Sequence, residues 1–205
     1  MPEALLCDID GVLVSHPDAL FSVRYAKAHG FDVGELSGFF KGDFNLALMG
    51  QRSLEEVLSD NRSAWHLRSD DDIRSLIEQW SRDHGDIHDE NVAALRILRK
   101  RGVVCCAATN QERARGEWLT GHLFEGLFDQ TFISANVGFK KPSSKYFEYV
   151  LNQLQANGII KTPEKLSYID DELENVTAAL ELGIRAHHYD GSRTVAELLG
   201  VSDSL

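Results

Sequence analysis

Hydrophobic and polar positions follow two different patterns along this chain. Ala4-Leu5-Leu6-Cys7-Asp8-Ile9 is a short apolar run without a helical period, interrupted by Asp8 and followed by Asp10-Gly11. That pattern predicts a buried strand that ends in acid. From Pro17 to about Gly85 the period changes: Asp18 to His29, Gly34 to Lys41, Ser53 to Asp60 and Ser69 to Asp83 all suit helices, and no strand pattern interrupts them. Ser53 with Glu56 three residues on predicts a capping box, and the three aspartates after Ser69 place negative charge where a helix N-terminus favours it.

Beyond this helical stretch the pattern alternates. A helix from His88 to Arg101, stopped by Gly102, precedes a strand from Val103 to Ala108 that ends in Thr109-Asn110. Helix Gln111 to Thr120, strand Thr131 to Ser134, helix Ser143 to Gln155 after Lys141-Pro142, and strand Lys165 to Ile169 ending in Asp170-Asp171 come next. A helix from Leu173 to Leu182 with Gly183 at its stop, strand Ile184 to Tyr189 and a short helix from Thr194 to Leu199 complete the pattern. Strand and helix in alternation predict an α/β fold: a Rossmann-like parallel sheet with helices on both faces, plus an inserted α-helical unit. Residues 1–15 and 86–205 are expected to form the α/β core and residues 16–85 the insertion, about 135 and 70 residues and within ordinary domain sizes.

Composition narrows the class of partner. With 32 acidic against 21 basic residues and a net charge of -11 over 205 residues, the surface field repels phosphate backbones and anionic lipids. Neither nucleic acid nor membrane is therefore an expected partner. The N-terminus lacks the positive region and apolar stretch of a signal peptide, and no apolar run approaches spanning length, so a cytoplasmic location is expected. Cys7, Cys105 and Cys106 each lie in an apolar run and read as buried free thiols; neighbours on a strand face opposite ways and are poorly placed to bridge. Oligomeric state is not legible.

Ligands of an open parallel sheet bind at the carboxyl ends of its strands, which makes the polar residues there the candidate site. These are Asp8 and Asp10, Thr109 and Asn110, Asp170 and Asp171, with Lys141 after the third strand. Several acids at one sheet edge repel one another unless a cation joins them, and Mg²⁺ accepts one or two carboxylates together with a substrate phosphate. Asp8 and one of Asp170 or Asp171, with a backbone carbonyl near Asp10, could supply the oxygens. Phosphoryl transfer then assigns the roles: Asp8 as nucleophile, and Asp10 as the acid that protonates the leaving oxygen and then the base that activates water. Thr109 and the backbone N–H groups of Ile9, Gly11 and Asn110 serve as donors to the phosphate, while Lys141 offsets charge.

At these residues the sequence resembles the haloacid dehalogenase-like superfamily. Asp8-Ile9-Asp10-Gly11-Val12-Leu13 fits its first motif, Thr109 its second, Lys141 before Pro142 its third and Ile169-Asp170-Asp171 its fourth. The resemblance runs over nearly the whole chain and implies a Rossmann-like core, a helical cap made of the insertion, Mg²⁺ and an aspartyl-phosphate intermediate. Alignment with members carrying Gly-Asp at the fourth motif favours Asp171 as the direct ligand, with Asp170 nearby or acting through water. Glu172 and Ser143-Ser144 depart from common residues of the family without touching the reacting groups. Dehalogenases of the family lack the second acid of the first motif, so Asp10 argues for phosphate.

The expected activity is Mg²⁺-dependent hydrolysis of a small phosphate monoester, a sugar phosphate or similar metabolite. A phosphomutase of the same family and a noncatalytic binding protein on the same fold are the alternatives. His84, His88, His187 and His188 read as structural or surface residues, and Phe39, Phe40 and Phe44 as core of the insertion. Arg52 and Lys41, near glycine-containing turns, receive no assignment.

Overall fold

The computed structural model describes residues 2–201. Strand β1 (Ala4–Cys7) is followed by α1 (Phe21–His29), a 3₁₀ turn (Val33–Leu36), α2 (Ser37–Lys41), α3 (Phe44–Leu48), α4 (Leu54–Asp60), α5 (Asp70–Ser81) and α6 (Asp89–Lys100). Then come β2 (Val104–Thr109), α7 (Arg113–Trp118), β3 (Gln130–Ile133), α8 (Ser134–Val137), α9 (Ser144–Ala156), β4 (Leu166–Asp170), α10 (Leu173–Glu181), β5 (Arg185–His188) and α11 (Val195–Leu198). The five strands form one parallel sheet in the order β3-β2-β1-β4-β5. The chain first steps outward from β1 through β2 to β3, then crosses back to β4 and β5. Strand order therefore reverses at β1/β4, where a crevice opens beyond the strand ends.

Strand pleating divides the sheet residues between two apolar layers. Leu5, Cys7, Cys105, Ala107 and Ile169 face one side, against Leu95 and Leu98 of α6 and Val195 of α11. Ala4, Leu6, Cys106, Ala108 and Tyr168 face the other, against Tyr146, Phe147 and Leu154 of α9 and Ala179 of α10. Cys105 and Cys106 thus sit on opposite faces, and all three cysteines are buried free thiols, as the pattern predicts.

Residues between β1 and α6 build a third apolar layer of their own around Tyr25, Phe39, Leu58, Trp65, Ile73 and Leu76, with Phe40, Phe44 and Trp80 packed against it. The predicted capping box forms, with Ser53 accepting from Glu56 N–H, and Ser69, expected only to precede favourable negative charge, makes a second by accepting from Asp72 N–H; both acids return bonds to the cap backbone. Helices α3 and α8 are not apparent in the sequence pattern. They have five and four residues, too short to show a period, and Gly138 ends α8 in the left-handed conformation. Beyond α7 the backbone continues into a π turn at Leu119–Leu123.

Two antiparallel linkers join the insertion to the sheet. Val14 bridges Ile87, Ser15 N–H donates to Asp86 O at 2.8 Å, and His88 N–H donates to Leu13 O at 2.9 Å. Asn91, 1% exposed, locks the arrangement: its Nδ2 donates to Val12 O at 2.8 Å and its Oδ1 accepts from Val195 N–H at 2.9 Å. The insertion also meets α8, just beyond β3, where Gly50 (φ 64°) approaches so closely that a Cβ there would lie 1.9 Å from Ala135 O.

Asn91 satisfies the buried Val195 N–H and shares the Val12 carbonyl with His88 Nδ1, so Asn91→Ala is expected to lose about 1–3 kcal/mol of stability. A lower urea midpoint with unchanged slope is the expected measurement.

Candidate active site

The first strand leaves the sheet through Asp8, whose N–H still donates to Ile169 O at 2.9 Å. The next turn closes on itself, with Gly11 N–H donating to Val14 O at 2.7 Å and Leu13 N–H to Ile9 O at 2.8 Å. Gly11 (φ 82°) is required here, since a Cβ would fall 2.1 Å from Asp171 Oδ2. The tight turn brings the loop after β1 against the loop after β4.

Lys141 lies between these strands. Its Nζ is 2.8 Å from Asp8 Oδ2 and donates to Asp170 Oδ2 at 2.6 Å and to Ala108 O at 2.9 Å. The residue is 2% exposed. A clasp holds its backbone: Lys141 N–H donates to Asn110 Oδ1 and Asn110 Nδ2 donates to Lys141 O, both at 2.9 Å. One ammonium therefore serves two carboxylates. Asp170 is fully buried and saturated, taking Lys141 and the Tyr168 hydroxyl on Oδ2, and Glu172 N–H (2.8 Å) and Asn175 Nδ2 (2.9 Å) on Oδ1. Burial alone would raise its pKa, but Lys141 and the Tyr168 hydroxyl hold it below the ordinary value. Asp8 is pushed the other way, upward by burial and by Asp170 against the pull of Lys141.

Asp171 completes the acidic group. Asp8, Asp170 and Asp171 each offer one carboxylate oxygen, all within 4.8 Å of one another. Asp171 Oδ2 lies 2.9 Å from His16 Nε2, and its backbone carbonyl 2.9 Å from His188 Nε2. Its side chain is 17% exposed, and a recess of about 370 Å³ lined by Gly11, His16, His88, Asp171 and His188 opens beside it. Three hard oxygen donors, crowded and short of positive charge, fit a small divalent cation such as Mg²⁺.

Asp10 lies outside this group. Its carboxylate makes a bidentate pair with Arg115, Nη1 to Oδ2 at 3.0 Å and Nη2 to Oδ1 at 2.9 Å, and Gln111 Nε2 adds a bond to Oδ2 at 2.8 Å. Burial opposes ionisation, yet Arg115 and Gln111 outweigh it and hold the Asp10 carboxyl below its ordinary pKa. Thr109 is buried at the end of β2, beside Ile133 in register. Of the N–H groups expected to face a phosphate, that of Ile9 donates to Asp8 Oδ1 at 2.8 Å and that of Gly11 is used within the turn.

The sequence reading did not single out Arg115, Gln111, His16, Tyr168 or Asn175. Each joins the site only through the folded chain: Arg115 and Asp10 are 105 residues apart, His16 and Asp171 155 apart. Of the four histidines read as structural or surface, His88 and His188 make backbone contacts beside the site, His88 Nδ1 lying 3.0 Å from Val12 O. Arg52 pairs with Asp60 at 2.7 Å.

The haloacid dehalogenase-like hydrolase family matches residues 2–183. A sesquiterpene phosphatase of Aspergillus oryzae is 34% identical over 106 residues, 51% of this chain and 52% of that protein. A drimenol cyclase of Aspergillus calidoustus is 44% identical over 61 residues, 29% of this chain and 10% of that protein. These curated relatives are thus spanned over about half and a tenth of their own lengths. Among solved structures, a HAD family enzyme from Bacteroides thetaiotaomicron in complex with magnesium and inorganic phosphate superposes with a TM-score of 0.77 at 22% identity, over 97% of this chain and 99% of that one. A predicted HAD-like hydrolase from Porphyromonas gingivalis gives 0.75 at 21% identity, over 98% and 97%. Both show the fold.

Removing the shared ammonium leaves two buried carboxylates without compensation. Lys141→Met is expected to cost about 3–5 kcal/mol in metal-free buffer, and added Mg²⁺ should recover part of that loss. Thermal melts of the variant with EDTA and with millimolar Mg²⁺ measure both effects.

Proposed function

The chain belongs to the haloacid dehalogenase-like hydrolase family, and from that premise we propose that it is a Mg²⁺-dependent phosphatase acting on a small phosphate monoester through an aspartyl-phosphate intermediate. The observation that carries this reading is the convergence of Asp8, Asp170 and Asp171 within 4.8 Å around a buried lysine at the point where strand order reverses. The magnesium and phosphate held by the Bacteroides structure and the phosphatase activity named for the Aspergillus relative support it.

In this mechanism the chain's own residues act as follows. Asp8 attacks phosphorus in line with the leaving oxygen, and a carboxylate oxygen–phosphorus bond forms as the ester bond breaks. Asp10 gives a proton to the departing alkoxide, then takes one from the water that hydrolyses the acyl phosphate. Lys141 balances charge on Asp8 and on the transferring group, while Thr109 and the Asn110 N–H donate to phosphoryl oxygens. Mg²⁺, when bound, would neutralise charge on the carboxylates and the phosphoryl group. Asp8 and Asp171 supply its carboxylates, together with the backbone carbonyl of Asp10, whose side chain is committed to Arg115. Asp170, with four donors already, is assigned to holding Lys141 and the loop after β4. Residues 16–85 act as the cap over the reacting groups. The substrate class extends from sugar phosphates to the terpenyl phosphates that the Aspergillus relative brings into consideration.

Release of phosphate from an aryl phosphate should require Mg²⁺, vanish with EDTA and fall by at least about 10⁴-fold in Asp8→Asn; undiminished turnover in that variant would overturn the mechanism, and isomerisation without phosphate release would identify a mutase. The two acids of the fourth motif should separate by phenotype. Asp171→Asn is expected to keep its melting temperature without Mg²⁺ and lose the Mg²⁺-induced rise, whereas Asp170→Asn should melt lower in both conditions, as read by calorimetry.

A further inference from the structure

Among the described residues, Arg115 and Lys141 are the cations that pair with an acid of the first motif, and Arg115 takes no part in the steps above. We propose that Arg115 is a positioning residue: it holds the Asp10 carboxylate with Oδ1 turned to the leaving oxygen and ties that orientation to the seating of the helical insertion. The proposal rests on the phosphatase reading and on the geometry around this one guanidinium.

The two oxygens of Asp10 are not equivalent. Oδ2 accepts from Arg115 Nη1 at 3.0 Å and Gln111 Nε2 at 2.8 Å, whereas Oδ1 accepts only from Arg115 Nη2, at 2.9 Å, among the described residues. A carboxylate oxygen has two lone-pair directions, so Oδ2 is filled and Oδ1 keeps one open. Oδ1 is therefore the oxygen with room for a proton: Arg115 and Gln111 favour the carboxylate in the free site, and the negative charge of a bound phosphate ester favours proton uptake there. That proton passes to the ester oxygen as the phosphorus–oxygen bond breaks and the bond to Asp8 forms, and the water that opens the acyl phosphate returns one to Oδ1. Arg115 is engaged by Asp10 and by the Asp83 carbonyl.

The guanidinium is fixed from three directions. Its own backbone N–H donates to Glu112 Oε1 at 2.8 Å, and Ala114 N–H donates to Glu112 Oε2 at 2.7 Å, which pins the first turn of α7. Glu112 is 1% exposed. Arg115 Nη2, besides holding Asp10 Oδ1, donates to Asp83 O at 2.8 Å, in the linker that returns from the insertion. Asp83 in turn pairs through its carboxylate with Arg24 of α1, so that both ends of the insertion reach Asp10 by way of Arg115. A shift of the insertion that moves the Asp83 carbonyl pulls on the nitrogen that orients Oδ1. Only a planar fork supplies these donors at once; an ammonium can keep the charge but not the two parallel bonds.

The test compares two esters by kcat/KM, which reports the steps up to departure of the leaving group. An alkyl phosphate needs a proton at its leaving oxygen, and 2,4-dinitrophenyl phosphate does not. In Arg115→Ala the alkyl ester should lose about 10²-fold, the lower range of general acid catalysis, while the dinitrophenyl ester changes by less than about threefold. Arg115→Lys should lie between wild type and Arg115→Ala on the alkyl ester alone, and it carries the same comparison if Arg115→Ala does not fold. Equal losses on both esters, or no loss on either, would overturn the positioning role. Absence of turnover of either ester by the wild type would instead remove the phosphatase reading, and this proposal with it.

Discussion

Lys141 Nζ lies 2.8 Å from one carboxylate and 2.6 Å from another, inside a site with almost no access to water. Two buried carboxylates this close would each be pushed toward the neutral form, and their mutual repulsion would open the junction of β1 and β4. The ammonium opposes this, and the surrounding groups are arranged to keep it there: the Asn110 clasp on its backbone, the Ala108 carbonyl on its third proton, and the Tyr168 hydroxyl and Asn175 amide on the far side of Asp170. Asp170 accordingly keeps its charge. Among the described residues Asp8 has the Ile9 N–H and Lys141 as donors, and its lone pairs remain the more available ones. Fourfold saturation on one acid and scarcity on the other are what the proposed mechanism requires of a structural carboxylate and a nucleophile.

The helical insertion is attached to the rest of the fold at two places. Its two linkers run antiparallel beside each other at Val14 and Ile87. A second attachment lies at the other side of the crevice, where Lys140 Nζ donates to Asn45 Oδ1 at 2.8 Å and Gly50 packs on Ala135. Lys140 and Lys141 are neighbours with opposite duties, one reaching out to α3 and the other buried among carboxylates.

The sheet, its helices and most motif positions were legible because they are local. A strand ending in acid, a capping box or a glycine stop is written within a few residues, and the period of apolar positions marks which face is buried. The five-residue α3 and the four-residue α8 carried no such period. Arg115, Gln111 and His16 were illegible for a different reason: nothing in Glu112-Arg113-Ala114-Arg115 distinguishes a buried ion-pair partner from a solvated helix surface until α7 is laid beside β1. Arg113, two residues earlier, faces outward to Asn136. A single helical step decides between these outcomes, and that step is set by the Glu112 cap and by Gly116, where a Cβ would collide with Ile133 at 2.6 Å.

The same geometry resolves the tension between an acidic chain and the anionic substrate proposed for it. Net charge governs encounters with large polyanions at distances beyond the Debye length, but a phosphate in the crevice responds to the groups within a few ångströms. There, with all four ionised, Asp8, Asp10, Asp170 and Asp171 carry four negative charges, and Lys141 and Arg115 return two. The remainder is two negative charges, concentrated on the side that Asp171 opens to solvent, and a divalent cation would cancel it. A phosphate monoester would then meet a neutral, donor-rich cavity instead of a wall of acid. The pairing of Asp10 with Arg115 is what makes this balance possible, because an unpaired fourth carboxylate would leave the crevice repulsive even with the cation in place.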